Sequence, residues 1–473
     1  MTRRLSMKAS GFLLRSALVA ALGGLLFGFD TAVISGAEQA LQQMFDATYD
    51  SLAANFGNIR FLGTPGFWHG CTTASALIGT ILGAWLAGKP SDVWGRKKTL
   101  SVLAILYFVS AVGSAMAWDW WSFVIARFLG GLAVGGSSVV GPVYIAEISP
   151  AANRGRLVAL FQFNIVFGIL LAFLSNYTLG TLNLGDIEWR WIFAVEAFPA
   201  AAFFLLLFGN PRSPRWLTTK GLVDEARAVL QRIGIDDVEG ELRAIQESID
   251  LDHHRVKEPF FRKKYLRPIL LAFLIAMFNQ LSGINALLYY SQRIFEMAGA
   301  SISDARLQSV IVGLTNLIFT MMAMAVIDHF GRKKLMIVGS LGYIVSLSTA
   351  AWAFHTERGG YVVLVSFMVF IASHAFGQGA VIWVFISEIF PNRVRARGQA
   401  LGSFTHWFMC AGISWTFPML VGKADAPGAS QAGAKVFAFY AAMMVLQLVW
   451  VLVVMPETKG VPLEQIQKKL GIE

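Results

Sequence analysis

The sequence predicts an all-α membrane protein: twelve transmembrane helices in two pseudo-symmetric six-helix bundles, with a polar helical linker between them. Three observations carry this. The 473 residues are 56% hydrophobic and only 14% charged, with a mean hydropathy of +0.58, where soluble domains are about a quarter charged. Apolar stretches of spanning length recur twelve times, and short charged motifs repeat at corresponding places in the two halves.

A helix rising about 1.5 Å per residue needs about 20 residues to cross about 30 Å of hydrocarbon. Stretches of that length with few or no charges lie at roughly 12–34, 67–88, 99–118, 121–146, 157–178, 191–209, 268–291, 307–327, 335–354, 361–386, 398–421 and 436–455. They fall six on either side of the longest internal polar segment, which holds PRWLTTKGLVDEARAVLQRIGI and VEGELRAIQESI. Its Leu, Ala and Ile recur at helical spacing between charges, the pattern of short amphipathic helices on a membrane surface. The expected organisation is an N-terminal bundle over 1–211, a linker over 212–265, a C-terminal bundle over 266–456 and a tail over 457–473. The other long connection, about 35–66, is expected on the outer side.

The net charge of +10 invites a nucleic-acid reading, but the basic residues gather in alternate short connections. Arg3 and Arg4, Lys89 with Arg96 to Lys98, Arg154 and Arg156, Arg332 to Lys334, and Arg393 to Arg397 form the positive-inside pattern. The partner this implies is the lipid bilayer, not nucleic acid, with both termini on the cytoplasmic side of a plasma membrane. The first span has no small-residue cleavage site and eleven more follow it, so no removable signal peptide is read. Cys71 and Cys410 fall in separate spans without metal or redox spacing.

The two halves look duplicated. DVWGRKKTL at 92–100 follows the second span and DHFGRKKLM at 328–336 the eighth; EISPAANR at 147–154 and EIFPNRVR at 388–395 share Glu, Pro and Arg at identical offsets. Matching motifs in matching loops are the mark of a parallel-repeat transporter whose halves rock against each other. Asp30 ends the run SALVAALGGLLFGFD. A carboxylate at that depth costs roughly 2.5 to 3.5 kcal/mol on insertion scales, so it is paired, protonated or both, and a functional residue by default.

Taken in order, FGFDTAVISGA, DVWGRKK, RFLGGLAVGG, EISPAANRG, NPRSPRWL, NQLSGINALLYYS, DHFGRKK, WVFISEIFPNRVRARG and PETKG cover nearly the whole chain. They resemble the motifs of the major facilitator superfamily and, within it, the sugar porter family, most of all its bacterial proton-coupled xylose-type symporters. The resemblance implies the major facilitator fold, no cofactor, and a monomer that carries a monosaccharide together with protons. One departure is NPRSPR, where the family usually has an acid at the place of Arg212. That touches the usual cytoplasmic contact of the motif, not the sugar site.

A sugar is uncharged but rich in hydroxyls, so its pocket needs paired donors and acceptors and an aromatic face for the ring. The spans supply Gln162, Asn279, Gln280, Asn285, Tyr289, Tyr290, Asn316, Trp383, His406 and Trp407. Intramembrane amides also glue helices together; the match to the family's sugar contacts favours binding for Gln162, Gln280, Asn285, Asn316 and Trp383. Gln280 and Asn285 stand about 140° apart on an ideal helix, but a break at Gly283 would turn both inward. Ile169 stands seven residues after Gln162, where the well-known sugar porters have a second glutamine, and Asn279 also replaces a glutamine. The resemblance therefore does not carry over a preferred sugar. His406 has a near-neutral intrinsic pKa and is a minor candidate for proton coupling.

Arg127 is the natural partner of Asp30, since opposite charges at depth are tolerated together, and the resemblance places such a pair between these helices. Glu196 in the sixth span is a second acid that assists. The resemblance also implies a charge network that closes the inner gate, built from Asp92, Gly95, Arg96, Glu147 and Arg154 in one half and Asp328, Arg332, Glu388 and Arg395 in the other. The sequence thus points to a proton-coupled importer of xylose, glucose or a similar sugar. The alternatives are a facilitative uniporter and a polyol- or inositol-proton symporter. A sugar sensor normally adds a long tail, and an enzyme needs a nucleophile, metal cluster or phosphate loop that the sequence does not display.

Overall fold

The computed structural model describes residues 11–57, 59, 61–151, 153–253, 259–391, 393–461 and 463–472. Arg3 and Arg4 lie outside them, and so does the side chain of Asp328. Twelve helical crossings follow the chain: span 1 Gly11–Val33, span 2 Pro65–Leu86, span 3 Arg96–Ala115, span 4 Trp120–Ile148, span 5 Arg154–Thr181 and span 6 Glu188–Ala194 with Ala197–Leu207. The second half repeats the plan with span 7 Leu266–Leu281 with Ile284–Tyr289, span 8 Ile302–Phe330, span 9 Arg332–His355, span 10 Tyr361–Ile389, span 11 Arg395–Val421 and span 12 Ala429–Val453. Ten of these are long and apolar enough to cross a membrane on their own, and span 2 becomes an eleventh when joined to the bent helix Gly88–Trp94. Span 11 has the length, 27 residues, but it is not among the ten, because His406 and the Ser, Thr, Trp and Pro residues after it dilute even its second half.

Local sequence sets the helix ends and breaks. Asp119 caps span 4 in a reciprocal capping box with Ser122, and Ser301 caps span 8. Span 7 breaks at Gly283, whose φ of 86° and ψ of 11° are left-handed. A side chain there would also meet the Tyr440 ring, since an added Cβ would stand 2.4 Å from it. Span 6 breaks at Val195–Glu196, and span 10 carries a π-helical turn at Ala375–Gly379, a device found often at functional positions. The glycines of RFLGGLAVGG serve close approach. A Cβ on Gly131 would fall 1.8 Å from the Ala76 carbonyl oxygen of span 2, so only glycine brings span 4, and with it Arg127, this near.

The linker folds into Pro214–Thr219, Val223–Ile233 and Val238–His253. Leu217, Ala226, Leu230 and Ile233 bury into an apolar cluster of the first half, and Ile466 and Leu470 of the tail helix bury into one of the second half. Those two clusters lie on the linker face and share no residue. On the far face a single apolar cluster draws on both halves, joining Phe29, Leu41 and Phe123 to Tyr290, Phe367 and Phe417. The halves are thus fused at the far face and separate at the linker face.

Candidate transport pathway

Asp30 and Arg127 meet as a buried, two-pronged ion pair. Arg127 Nη1 donates to Asp30 Oδ1 at 2.5 Å and Nη2 to Oδ2 at 3.2 Å, with the residues 2% and 1% exposed. The guanidinium also lies 5.3 Å from the centre of the Phe193 ring. Glu196, at the break in span 6, is 1% exposed, and neither of its carboxyl oxygens has a hydrogen-bond partner among the described residues. It is near enough to interact electrostatically with both members of the pair. Two acids and one arginine therefore share a buried compartment, an odd charge count that a proton can change.

The break at Gly283 produces the amide cluster. It folds Asn285 back so that Asn285 Nδ2 donates to Gln280 Oε1 at 2.6 Å, while Gln280 Nε2 donates to Asn279 Oδ1 at 2.9 Å. His406 joins them, with Nδ1 3.2 Å from Gln280 Nε2. Its ring lies 5.4 Å from that of Trp383 and 5.0 Å from that of Trp407, which in turn lies 5.5 Å from Phe27 of the first half. Six expected residues, Asn279, Gln280, Asn285, Trp383, His406 and Trp407, thus form one continuous polar and aromatic wall. Gln162 on span 5 is exposed and Asn316 on span 8 binds Thr320 at 3.3 Å; neither hydrogen-bonds to the cluster. Ile169 is 5% exposed within the shared apolar cluster, and Tyr289 is buried there too.

Tyr290 is engaged at the far-face closure. Its hydroxyl donates to the Ser414 carbonyl at 2.7 Å and shares a 2.5 Å hydrogen bond with Thr73 of the other half. Beyond it, Arg293 reaches across the halves to Glu38, with Nε to Oε1 at 2.8 Å and Nη2 to Oε2 at 2.6 Å. Both residues are fully buried. His69 adds a 2.9 Å bond to the same carboxylate, Gln42 accepts from Arg293 at 2.5 Å, and Arg293 Nη1 donates to the Gly422 carbonyl at 2.7 Å. Arg306–Glu188 and Lys423–Asp46 bridge the halves nearer the surface. Glu38 sits on the helix Glu38–Asn55, inside a stretch that reads only as a connection; the signal in the sequence was the charge of Glu38 and Arg293 next to predicted spans.

At the linker face the charged motifs pair within each half. Arg96 bonds Glu147 at 2.9 Å and Asp92 at 3.0 Å, and Arg332 bonds Glu388 at 2.8 Å. The duplication extends to detail: Ser213 donates to Glu147 and Thr458 to Glu388, each at 2.6 Å. Arg154 is exposed, and Arg395 Nε has no hydrogen-bond partner among the described residues. None of the charged pairs described at this face joins one half to the other.

Two six-span halves, closed together on one face and parted on the other around a buried polar wall, define a secondary transporter. The chain belongs to the sugar transporter family: the family model described as "Sugar (and other) transporter" matches residues 16–470. It is 37% identical to the D-xylose-proton symporter of Escherichia coli K12 over 97% of this chain and 96% of that protein. It is 34% identical to the arabinose-proton symporter of Bacillus subtilis over 97% and 95%. The inward-open structure of the E. coli xylose transporter XylE superposes with a TM-score of 0.82 over 97% of this chain and all of that one, at 35% identity. XylE bound to 6-bromo-6-deoxy-D-glucose gives 0.76 over 98% and 100%, at 36% identity.

Proposed function

We propose that this protein imports a monosaccharide, xylose, glucose or a similar pentose or hexose, together with a proton by alternating access. The observation that carries the reading is the compartment of Asp30, Arg127 and Glu196. A proton on Asp30 cancels its charge and loosens its hold on Arg127, leaving Glu196 as the other acid in Arg127's field. Each occupancy favours a different packing of spans 1, 4 and 6, and hence a different tilt of the halves. The amides of Gln162, Gln280, Asn285 and Asn316 match sugar hydroxyls, and Trp383 offers its face to the ring's C–H surface. Ile169 and Asn279 alter that set, and an unmatched hydroxyl costs about 1–3 kcal/mol. The sugar preference is therefore this chain's own.

The linker face is the cytoplasmic one, supported by Arg96 to Lys98, Arg154, Arg156 and Arg332 to Lys334 all lying there. Both termini are then cytoplasmic, the membrane is a bacterial plasma membrane, and one chain suffices for transport. The Arg96–Glu147 and Arg332–Glu388 groups exchange partners across the halves when the transporter opens outward.

One proton falling through about 150 mV releases roughly 3.5 kcal/mol, enough for an approximately 300-fold sugar gradient. In proteoliposomes an imposed inward proton gradient should accumulate sugar, and Asp30→Asn should abolish accumulation while retaining sugar exchange. Movement that is only downhill, with no pH change on adding sugar to the wild type, would make the protein a uniporter. Competition among pentoses, hexoses and inositol for that uptake identifies the substrate.

A further inference from the structure

The two halves differ at one anion position. Gly331 opens span 9 with φ 85° and ψ 151°, and the Glu457 carboxylate sits on the helix N-terminus, accepting from the Arg332 amide at 3.0 Å and the Lys333 amide at 3.1 Å. Gly95 opens span 3 with nearly the same backbone, φ 87° and ψ 155°. The matching tripeptides are Pro456-Glu457-Thr458 and Pro211-Arg212-Ser213, and the hydroxyls of Thr458 and Ser213 make equivalent bonds to Glu388 and Glu147. So Arg212 takes the place of Glu457 in the sequence of the repeat. Among the described residues nothing accepts from the Arg96 or Lys97 amides.

Protein covers only part of the place: the Trp216 ring stands 3.0 Å from where a Cβ on Gly95 would lie, on the side that Glu457 takes beside Gly331. A cavity of about 500 Å³ lies there, lined among others by Arg96, Lys97, Lys98 and Arg212. Arg96 is committed to Glu147 and Asp92, and Lys97 donates to the Phe208 carbonyl at 3.0 Å. Lys98 is exposed. Arg212 keeps only a 3.4 Å contact to Glu225, both more than half exposed, a pairing worth little in water. Lys97 and Arg212 repel each other across the cavity. Four cations and an uncapped helix N-terminus leave a positive hollow that the other half fills with an acid of its own. Its rim is apolar and exposed at Val93, Trp94 and Phe208.

We propose that this cavity binds a phosphate group, held by Arg212, Lys98 and the first-turn amides of span 3. A phosphate supplies the acceptor oxygens and negative charge that Glu457 supplies in the second half, and Arg212 can grip it with two parallel bonds. The apolar rim suits the chains of an anionic phospholipid whose headgroup enters the hollow. A free phosphate would use the same contacts without the rim.

The full chain, exchanged into micelles carrying phosphatidylglycerol or phosphatidylcholine, is read by native mass spectrometry, with inorganic phosphate titrated separately by thermal shift. Wild type should retain phosphatidylglycerol over phosphatidylcholine, and Arg212→Glu, which restores the acid, should cut retention at least about tenfold. Arg212→Gln and Lys98→Gln should each cut it about threefold or more, and they test the site if Arg212→Glu does not elute as a folded species. No lipid preference, but phosphate stabilisation that these variants lose, assigns the site to a soluble phosphate. Equal behaviour of variants and wild type, or no response to either ligand, overturns the proposal.

Discussion

Replacing Glu38 by Gln should tip the conformational equilibrium toward the state open at the far face. In the closed form Arg293 is fully buried and gives two hydrogen bonds to a single carboxylate. Removing one partner of such a pair costs about 3–5 kcal/mol because the other charge is left buried. Gln42 and the Gly422 carbonyl still accept from Arg293, which places the loss near the lower end, about 3 kcal/mol. When the far face opens, both groups reach water and the pair is worth little. The closed-to-open ratio should therefore fall about 100-fold, since each 1.4 kcal/mol is tenfold. Met116 of the first half and Tyr361 of the second are exposed, 68% and 83%, and lie at the far ends of spans 3 and 10. Spin labels on cysteines placed there, with Cys71 and Cys410 replaced by serine, report the separation by pulsed electron resonance. The Glu38→Gln sample should move most of its population to the longer distance. An unchanged distance distribution would refute the assignment of this cluster as the lock of the far face.

Gln280→Ala removes the amide that holds Asn279, Asn285 and His406 together, so sugar KM should rise about 5- to 150-fold for a loss of about 1–3 kcal/mol; a change under about twofold in counterflow assays speaks against a sugar role. Gly283→Ala meets both a left-handed backbone and the Tyr440 ring, a penalty of more than about 1–2 kcal/mol, and should lower the thermal midpoint and abolish sugar binding by tryptophan fluorescence; a variant as stable and as tight as wild type contradicts the enforced break. At Glu457 burial lifts the carboxyl, but amides of Lys459, Arg332, Lys333 and Thr458 outweigh it and hold the group below its ordinary 4.5. A carboxyl held low in the folded state stabilises above its ordinary value, and that contribution fades as pH falls through the depressed value. Wild type should therefore be more stable than Glu457→Gln at neutral pH, with the two unfolding curves converging below about pH 4; parallel curves across that range refute the contact.

Much of the architecture was legible because hydrocarbon thickness acts on chain length alone. Every crossing coincides with an apolar run, even span 11, whose polar residues blur its signal but not its length. The break at Gly283 was legible for the same kind of reason, as two amides on opposite helix faces make sense together only if the helix bends between them. The Asp30–Arg127 pairing followed from the cost of lone charges at depth. The role of Tyr290 was not legible, because an apolar run does not say whether a hydroxyl looks into a pocket or across to the other half.

By itself the sequence determined the crossings, the duplication, the buried charges and the sugar-type polar palette, all of which are properties of composition and short spacing. Only the tertiary structure decided that the far face is the closed one. The lock depends on Glu38 meeting Arg293, 255 residues away, and on one apolar cluster shared by both halves where the linker face has two. The same sequence must also support the opposite state, so the choice between them rests on a balance of cross-half contacts that no local pattern encodes.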